Sequence, residues 1–270
     1  MLAVRIATAN PRVPLSGTIL ATVTATVLDK VLLVLRAFTA DDHGVPFAEL
    51  QRRTGLAKGT LHRVLGTLTE ERLLDRVDGR YRPGSQLFEL GMLASVERTL
   101  LEVATPFLED LYERTHETVH LGVREGHEVV YVAKITGHRQ ATSPSRVGGR
   151  MPLHATAVGK ALLAHAPEEV RIAVLTGPLD RRTPRTLTAP GRLRQQLDRA
   201  VEDGVAYEYE EGAAGLVCVA APVLDQDDRP VAAVSIAGPI TRFRPEAHAA
   251  SVRAAAAGIA ATLARRAHLT

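Results

Sequence analysis

The sequence feature that most constrains the fold is a pair of amphipathic helices joined by a turn of about four residues. The first helix begins at Pro46 and ends near Thr54, where Gly55 can adopt the left-handed conformation that terminates a helix. The second helix opens at Lys58 and ends near Leu73. Its apolar side chains recur at helical spacing and form the predicted buried stripe: Leu61, Val64, Leu65 and Leu68. Two helices joined by a short turn that contains Gly indicate a helix-turn-helix motif.

This pair is preceded by a further predicted helix and followed by a predicted hairpin. Residues 28–39 carry apolar side chains at helical spacing. Residues 74–83 form two short alternating runs around Asp78 and Gly79, and Asp-Gly between such runs is a strong hairpin signal. The order helix, helix, turn, helix, hairpin predicts a winged helix-turn-helix domain, which we place at residues 27–84.

Beyond this domain the apolar period changes from helical to alternating at Val119. The predicted strands are 119–123, 129–133, 216–222 and 231–236, and the predicted helices are 157–165, 167–175, 191–203 and 245–267. Strand pairs that are segregated from helices are typical of an α+β fold with a mainly antiparallel sheet. We therefore predict a C-terminal domain at 100–270, joined by a linker helix at 85–99. Pro106 is expected to kink or break a further helix over 101–114.

The remaining sequence features concern the compartment. Residues 1–26 keep neither a helical nor a strand period, which predicts a disordered leader; the alternative is a signal peptide, because Arg5 precedes a moderately apolar stretch at 15–28. The single cysteine excludes an intramolecular disulfide and fits a reducing compartment. No run of about 18 apolar residues occurs, so no membrane span is expected. These features favour a cytoplasmic protein, and no cofactor is expected.

The net charge of +3 is too small to indicate a nucleic-acid partner by itself, so the location of the basic residues is the relevant signal. Residues 50–69 contain Arg52, Arg53, Lys58 and Arg63 and no acidic residue. Side chains off the apolar stripe of the second helix can enter a major groove, where Arg63 can pair with guanine. Arginines on the hairpin can contact phosphates. The predicted DNA-contacting residues are Arg52, Lys58, Gly59, Thr60, His62, Arg63, Arg80 and Arg82. The alternative is a solvated helix face beside a small hairpin.

Three other patterns have both a chemical and an inert interpretation. His116 and His120, with a Glu between them, match a zinc-protease pattern, but the alternation that follows predicts a strand. In a strand the two histidines lie about 13 Å apart, at a rise of about 3.3 Å per residue. They are therefore expected at a helix end and on a strand surface, and no metal site is predicted. Cys218 is expected to be a packing residue or a pocket wall, and the alternative is a nucleophile. Lys160 either binds an anion or lies on a plain helix surface.

Six segments in a fixed order match one family. They are residues 28–30, 54–63, 79–84, 152–162, 215–223 and 235–239. On these segments the chain resembles the IclR family of bacterial transcriptional regulators over about residues 27–268. Several motifs in the right order make the resemblance specific, whereas a single helix-turn-helix would not.

The resemblance implies a winged-helix domain, a linker helix and a GAF-like effector-binding domain. It also implies homodimers, often paired into tetramers, that bind operator DNA, and a small acidic effector such as a short carboxylate or an aromatic acid. Carried over residue by residue, the effector pocket is lined by His154, Ala155, Ala157, Val158, Gly159, Glu208, Leu216, Cys218 and Ser235. A helix that begins near Ala157 supports this pocket independently, because a helix N-terminus offers N–H groups to a carboxylate.

The chain departs from the family pattern at three positions. The family often has Asp at position 208 and Ser at positions 59 and 237. Here Glu208 is longer and Ala237 lacks a hydroxyl, which favours a less polar ligand than a keto acid. Gly59 removes one hydroxyl contact to DNA. We therefore expect a DNA-binding regulator, not an enzyme, whose operator binding is modulated by a small carboxylate effector. The alternative is a small-molecule-binding protein or an enzyme with no specific DNA target.

Overall fold

A computed structural model of the chain describes residues 26–39, 41–91, 93, 95–136 and 143–267. These residues form two compact units that divide between Arg98 and Thr99. The predicted leader lies outside the described residues, apart from Thr26. None of the helices in the described ranges has the length and apolar character that crossing a membrane requires.

The N-terminal unit is the predicted winged helix-turn-helix. Its helices are α1 (Val27–Leu35), α2 (Phe47–Thr54), α3 (Lys58–Glu70) and α4 (Ser85–Gly91). Its strands are β1 (Val45–Pro46), β2 (Leu74–Val77) and β3 (Arg80–Pro83), which form an antiparallel sheet in the order β1-β3-β2. Helices α1 and α3 end earlier than predicted. Strand β1 was not predicted, because two residues are too few to show an alternation.

Local signals account for the boundaries of these elements. Thr26 and Asp29 form a capping box at the start of α1, in which each side chain binds the backbone N–H of the other residue. Gly55 ends α2 at φ 67°, a left-handed conformation that glycine adopts without strain. Asp78 and Gly79 both have positive φ, as a tight two-residue hairpin turn requires.

The core of this unit orients α3. The buried cluster joins the predicted α3 stripe to side chains of α1, α2 and the sheet: Val34, Val45, Leu50, Leu61, Val64, Leu65, Leu68, Leu74 and Tyr81. Because this stripe faces inward, the opposite side of α3 is directed to solvent, with Lys58, His62 and Arg63 exposed.

The C-terminal unit is built on a six-stranded antiparallel sheet, which confirms the predicted α+β fold. Its strands are β4 (Thr118–Glu125), β5 (Glu128–Ile135), β6 (Arg150–Pro152), β7 (Ala206–Tyr209), β8 (Leu216–Leu224) and β9 (Pro230–Pro239), in the order β6-β5-β4-β9-β8-β7. Its helices are α6 (Ala157–Ala164), α7 (Glu168–Thr176), α8 (Pro190–Asp203) and α9 (Ala249–Ala267), with short 3-10 turns at Leu153–Ala155 and Pro245–His248. A further helix, α5 (Ser95–Thr115), runs across the division between the units.

Helices cover both faces of this sheet. On β8, Leu216, Cys218 and Ala220 belong to a core shared with α6, α7 and α8. Val217 and Val219 alternate with them and belong to a second core shared with α5 and α9. Successive side chains of a strand point to opposite faces, so a strand buried on both faces is apolar at every position. This explains why β8 has a continuous apolar run.

The structure differs from the predicted linker helix at 85–99. Helix α4 ends at Gly91, and α5 begins separately at Ser95. Helix α5 also continues through Pro106 instead of breaking there, although proline lacks the N–H of one helical hydrogen bond. Its apolar face is buried in the core of the C-terminal unit: Leu100, Val103, Ala104, Leu108 and Leu111. Burial of each Leu or Val side chain in this set is worth about 1.5–3 kcal/mol, and together they outweigh the loss of one hydrogen bond.

Candidate functional site

The first candidate site is the solvent-facing side of α3. Five of the predicted DNA-contacting residues lie there: Lys58, Gly59, Thr60, His62 and Arg63. Of these, only Thr60 is partly buried. The helix is preceded by Ala57, which provides no side-chain cap. The first N–H groups of α3 are therefore not satisfied by a side chain and suit a phosphate oxygen.

The basic window at 50–69, free of acid in the sequence, is not free of acid in three dimensions. The Glu49 carboxylate lies 2.6 Å from the guanidinium of Arg52 and 2.7 Å from that of Arg53. Arg53 is also 2.6 Å from Asp42. The two arginines hold the pKa of Glu49 down at about 2, so the acid remains ionised and offsets their charge. Arg52, although mostly exposed, is thus a weaker DNA candidate than the sequence suggested.

The positive charge of the window that is not offset lies on α3. Within the described parts of the chain, Lys58 and Arg63 have no acidic partner. On the hairpin, Arg80 donates to a backbone carbonyl at 3.3 Å, and Arg82 lies 3.3 Å from Asp75. Both hairpin arginines remain exposed. A cationic helix beside a strand pair with arginines at its surface can follow the backbone of a nucleic acid.

The second candidate site is a cavity in the C-terminal unit, between the sheet and the first turn of α6. Its volume is about 20 Å³, which is room for about one water molecule. It is lined by His120, Tyr131, Ser143, Pro144, Ser145, Met151, Thr156, Ala157, Val158, Glu208, Gly212, Ala213, Leu216, Cys218 and Ser235.

Six of the nine predicted effector residues line this cavity: Ala157, Val158, Glu208, Leu216, Cys218 and Ser235. The other three do not. His154 is buried with its Nε2 3.1 Å from a backbone carbonyl oxygen, and Ala155 is buried beside it. Gly159 packs α6 against the preceding turn, since an added Cβ would lie 2.3 Å from the carbonyl oxygen of Leu153. Its N–H donates to Thr156 Oγ1 at 3.0 Å, so this amide is already satisfied.

The sequence-based prediction missed a polar wall of the cavity centred on His120. This residue was expected on a strand surface, but its side chain is buried. Its Nε2 lies 2.7 Å from Ser145 Oγ and its Nδ1 lies 3.3 Å from Ser235 Oγ, while its ring packs on that of Tyr131. Burial, together with the charge of Lys134, lowers the pKa of His120 to about 3. The imidazole is therefore neutral. Local sequence does not show that helices cover this face of β4 as well.

Glu208 and Cys218 face each other on neighbouring strands at the other side of the cavity. Glu208 Oε1 accepts N–H bonds from Glu211 at 2.5 Å and Gly212 at 3.0 Å. Burial nevertheless raises the pKa of the Glu208 carboxyl to about 7. Burial also raises the pKa of the Cys218 thiol well above its usual range. The thiolate is the reactive form of cysteine, so Cys218 is held as a neutral thiol that lines the cavity and packs in the core.

Lys160 fits neither of its two expected roles. It is 1% exposed, and its Nζ donates to Gln196 Oε1 at 2.6 Å, to the carbonyl oxygen of Tyr207 at 2.8 Å and to Glu211 Oε1 at 2.6 Å. An ammonium has three N–H donors, so all of them are used. Lys160 is therefore a buried structural cation behind the cavity.

The two histidines of the zinc-protease pattern do not share a helix face. His116 has φ 51° and lies in the turn after α5, whereas His120 lies in β4. Across the described residues, no group of three or more His, Cys, Asp or Glu is arranged to hold a metal ion.

Two family models match the two units of the chain. The model described as bacterial transcriptional regulator IclR C-terminal matches residues 92–262. The model described as IclR helix-turn-helix domain matches residues 27–78.

Individual relatives agree with these matches. The HTH-type transcriptional regulator XynR of Escherichia coli is 35% identical over 212 residues, which cover 77% of this chain and 84% of that protein. The transcriptional repressor IclR of Escherichia coli is 33% identical over 217 residues, covering 78% and 79%. Among solved structures, an IclR homologue from Microbacterium hydrocarbonoxydans complexed with 4-hydroxybenzoate has a TM-score of 0.84 at 33% identity, covering 89% of this chain and 100% of that one.

Proposed function

Because the chain belongs to the IclR family of bacterial transcriptional regulators, we propose that a small organic acid in the C-terminal cavity controls its binding to operator DNA. The chain is a transcriptional regulator with a DNA-binding helix-turn-helix domain and a C-terminal ligand-binding domain. Since its partner is DNA, we propose that it acts in the cytoplasm. The observation that carries the proposal is that one chain combines two features: a cationic face of α3 with no acidic partner among the described residues, and a cavity at the N-terminus of α6.

DNA binding is proposed to centre on α3. Lys58 and Arg63 provide its charge, and the uncapped first turn offers N–H groups to a phosphate. Arg63 lies one turn into the helix, where a guanidinium can reach a base edge, whereas Lys58 at the helix start contacts the backbone. The hairpin arginines Arg80 and Arg82 are proposed to contact phosphates on the flank.

A DNA-binding titration distinguishes the roles of Lys58 and Arg63. Its DNA fragments are those that the purified protein selects from genomic DNA. We expect Arg63→Ala to cost about 1–3 kcal/mol on the selected site and to relax sequence preference. We expect Lys58→Ala to weaken all fragments alike and to lower the slope of log affinity against log salt by about 1. Arg194→Ala, at an exposed position on α8, is the matched control. Wild-type binding by both α3 variants at fixed salt would refute this recognition helix.

An organic acid is the proposed effector because the cavity is lined by hydrogen-bonding groups that suit a carboxylate. Ala157 and Val158 line it from the first turn of α6, where N–H groups lack intrahelical acceptors. Ser235 and the neutral His120 provide further hydrogen-bonding groups. The relative from Microbacterium hydrocarbonoxydans, crystallised with 4-hydroxybenzoate, supports an acid of this kind. Glu208→Ala or Ser235→Ala is expected to blunt the response to effector while DNA binding is kept.

The size of the cavity suggests how a ligand would act. A benzene ring occupies an engineered cavity of about 150 Å³, whereas this cavity measures about 20 Å³. An aromatic acid therefore has to displace part of the lining as it enters. A ligand that binds only the expanded arrangement shifts the population toward it, and DNA binding changes if the two arrangements differ in DNA affinity.

The chain is proposed to act as a homodimer, paired into tetramers. Large apolar side chains are exposed on α1 and along 88–93: Val27, Leu28, Leu33, Phe88, Leu90 and Leu93. Exposed apolar side chains concentrated in this way are typical of protein–protein contacts. Sedimentation equilibrium of the purified chain measures the assembly directly.

A further inference from the structure

The cavity proposed to hold an acid has the wrong charge for an anion. Among the described residues that line it, Glu208 is the only carboxylic acid, and there is no Lys or Arg. The Glu208 side chain is buried, at 2% exposure. A ligand carboxylate that enters beside an ionised Glu208 would place two like charges together where water is largely excluded. Two carboxylates that share a site cannot both remain ionised at low cost, and one of them takes up a proton.

The groups around Glu208 do not remove this conflict. Cys218 and Tyr131 face it from β8 and β5, and burial raises the pKa of both, so both are neutral. Lys160 on α6 is the nearby cation, but its three N–H donors are used and its charge is matched by Glu211. The Lys160–Glu211 pair is electrically neutral, which leaves Glu208 as the unmatched carboxyl.

The far wall of the cavity adds no cation either. His120 on β4 is neutral at physiological pH. Lys134 on β5 donates to the carbonyl oxygen of Ser145 at 2.6 Å and does not line the cavity. His154, on the turn before α6, is turned to a backbone carbonyl outside the lining. Among the described residues, the positive field inside the cavity comes from the first turn of α6.

We propose that an acid effector enters this cavity together with one proton, which is held between its carboxylate and Glu208. This inference rests on the acid effector of the proposed function and adds that the site is proton-coupled. Oε1 of Glu208 accepts the N–H groups of Glu211 and Gly212 and stays an acceptor. Oε2 is then the oxygen that carries the proton toward the ligand. The proton comes from solvent, so each binding event at alkaline pH takes up one proton.

The pH range of the effect follows from burial. The free protein holds the Glu208 proton up to a pKa of about 7. Below this value the proton is already present, and binding takes up little. Above it the proton has to be acquired on binding, so affinity falls tenfold per pH unit. Between pH 6 and pH 8 we expect the Kd of an acid to rise about tenfold.

Isothermal titration calorimetry of the full chain at pH 6 and pH 8 tests this inference. The probes are 4-hydroxybenzoate and its uncharged analogue 4-hydroxybenzyl alcohol. We expect the Kd of the acid to rise about tenfold for the wild type and that of the alcohol to stay constant. Titration at pH 8 in two buffers of different ionisation enthalpy should give about 0.9 proton taken up per acid bound, against about 0.1 at pH 6.

Two variants test whether the Glu208 carboxyl itself causes the pH dependence of binding. Glu208→Gln keeps the shape and removes the charge, so the Kd of the acid should become independent of pH. Glu210→Gln, just after the end of β7, is the matched control: its carboxylate pairs with Arg185 and does not line the cavity, and the tenfold dependence should remain. Circular dichroism and DNA binding report whether each variant is folded.

The outcomes distinguish this inference from the proposed function. If the wild type binds the acid with the same Kd at both pH values, the acid effector stands and proton coupling is overturned. A Kd that falls as pH rises overturns it as well. If neither the wild type nor Glu208→Gln binds the acid at either pH, the proposed ligand class is wrong and the inference falls with it. The comparison of acid with alcohol needs no variant, so a misfolded Glu208→Gln leaves the test intact.

Discussion

Replacing Lys160 by Met removes the counter-charge of a buried carboxylate, and we expect it to destabilise the C-terminal unit strongly. The side chains of Lys160 and Glu211 are 1% and 4% exposed, and their charged atoms are 2.6 Å apart. Glu211 Oε2 has no hydrogen-bond partner among the described residues. Without Lys160, Glu211 loses the partner of its other oxygen too. Breaking a buried ion pair on one side costs about 3–5 kcal/mol, because the remaining charge stays in a poorly solvated place.

A double-mutant cycle shows whether the charge is the cause. Glu211→Met should also destabilise, since it leaves the Lys160 ammonium unmatched. Lys160→Met combined with Glu211→Met removes both charges and places two flexible apolar side chains in the same volume. We expect the double variant to cost less than the sum of the two single variants by about 2–3 kcal/mol. The destabilisation that remains in the double variant comes from the carbonyl oxygen of Tyr207 and the side-chain amide oxygen of Gln196, which both lose their hydrogen-bond donor.

Urea unfolding at pH 7, followed by circular dichroism because the chain has no Trp, is the assay. Protein concentration is held constant, since an oligomer gains stability with concentration. For an m-value of about 2 kcal/mol per molar urea, a loss of 3–5 kcal/mol lowers the midpoint by about 1.5–2.5 M. Additive single variants, with a coupling below about 0.5 kcal/mol, would show that the pair does not act as a unit. Loss of the counter-charge would then not be the cause of the destabilisation.

The remaining predictions concern three residues. Burial raises the pKa of Glu208 from 4.5 to about 7, so its contribution to stability is fully present below pH 4.5 and is lost as pH rises to 7. The free energy of unfolding of the wild type should therefore fall by about 2–3 kcal/mol relative to Glu208→Gln between pH 5 and pH 8, measured by urea titration at each pH, and a constant difference would contradict the shift. Gly66→Ala adds a Cβ to open space in α3 and should stabilise by up to about 1 kcal/mol in a thermal melt. Gly159→Ala forces a Cβ to 2.3 Å from the carbonyl oxygen of Leu153 and should destabilise by about 1–3 kcal/mol; equal effects of the two alanines would refute the packing argument.

Periodicity and turn residues made the N-terminal unit predictable. The α3 stripe, Gly55 and the Asp78-Gly79 turn each report a local interaction within a few residues. The course of α5 through Pro106 was not predictable in this way. The helix extends through Pro106 because its apolar face is buried on a sheet that includes β8 and β9, which lie far along the chain. A local rule about proline does not include that burial.

The candidate cavity was predictable only in part, because some of its lining depends on contacts between remote segments. Glu208 and Cys218 were predicted through the resemblance to the family, and they lie opposite each other in the sheet. His120 was missed because its environment is formed by Ser145 and Ser235, of which Ser235 is more than a hundred residues away along the chain. Gly159 belonged to the same motif as Ala157 but packs on backbone instead of lining the cavity.

The sequence by itself determined most of the elements, the family and the apolar faces, because these depend on the spacing of residues within a segment. Only the tertiary structure decided which charges are free. Acidic residues from outside the basic window at 50–69 offset the charges of Arg52 and Arg53. Lys58 and Arg63 on α3 keep no acidic partner among the described residues. The tertiary structure also buried Lys160 in an ion pair and left Glu208 without one among the described residues. Charge pairing and burial depend on distances between segments remote along the chain, and these distances exist only once the chain has folded.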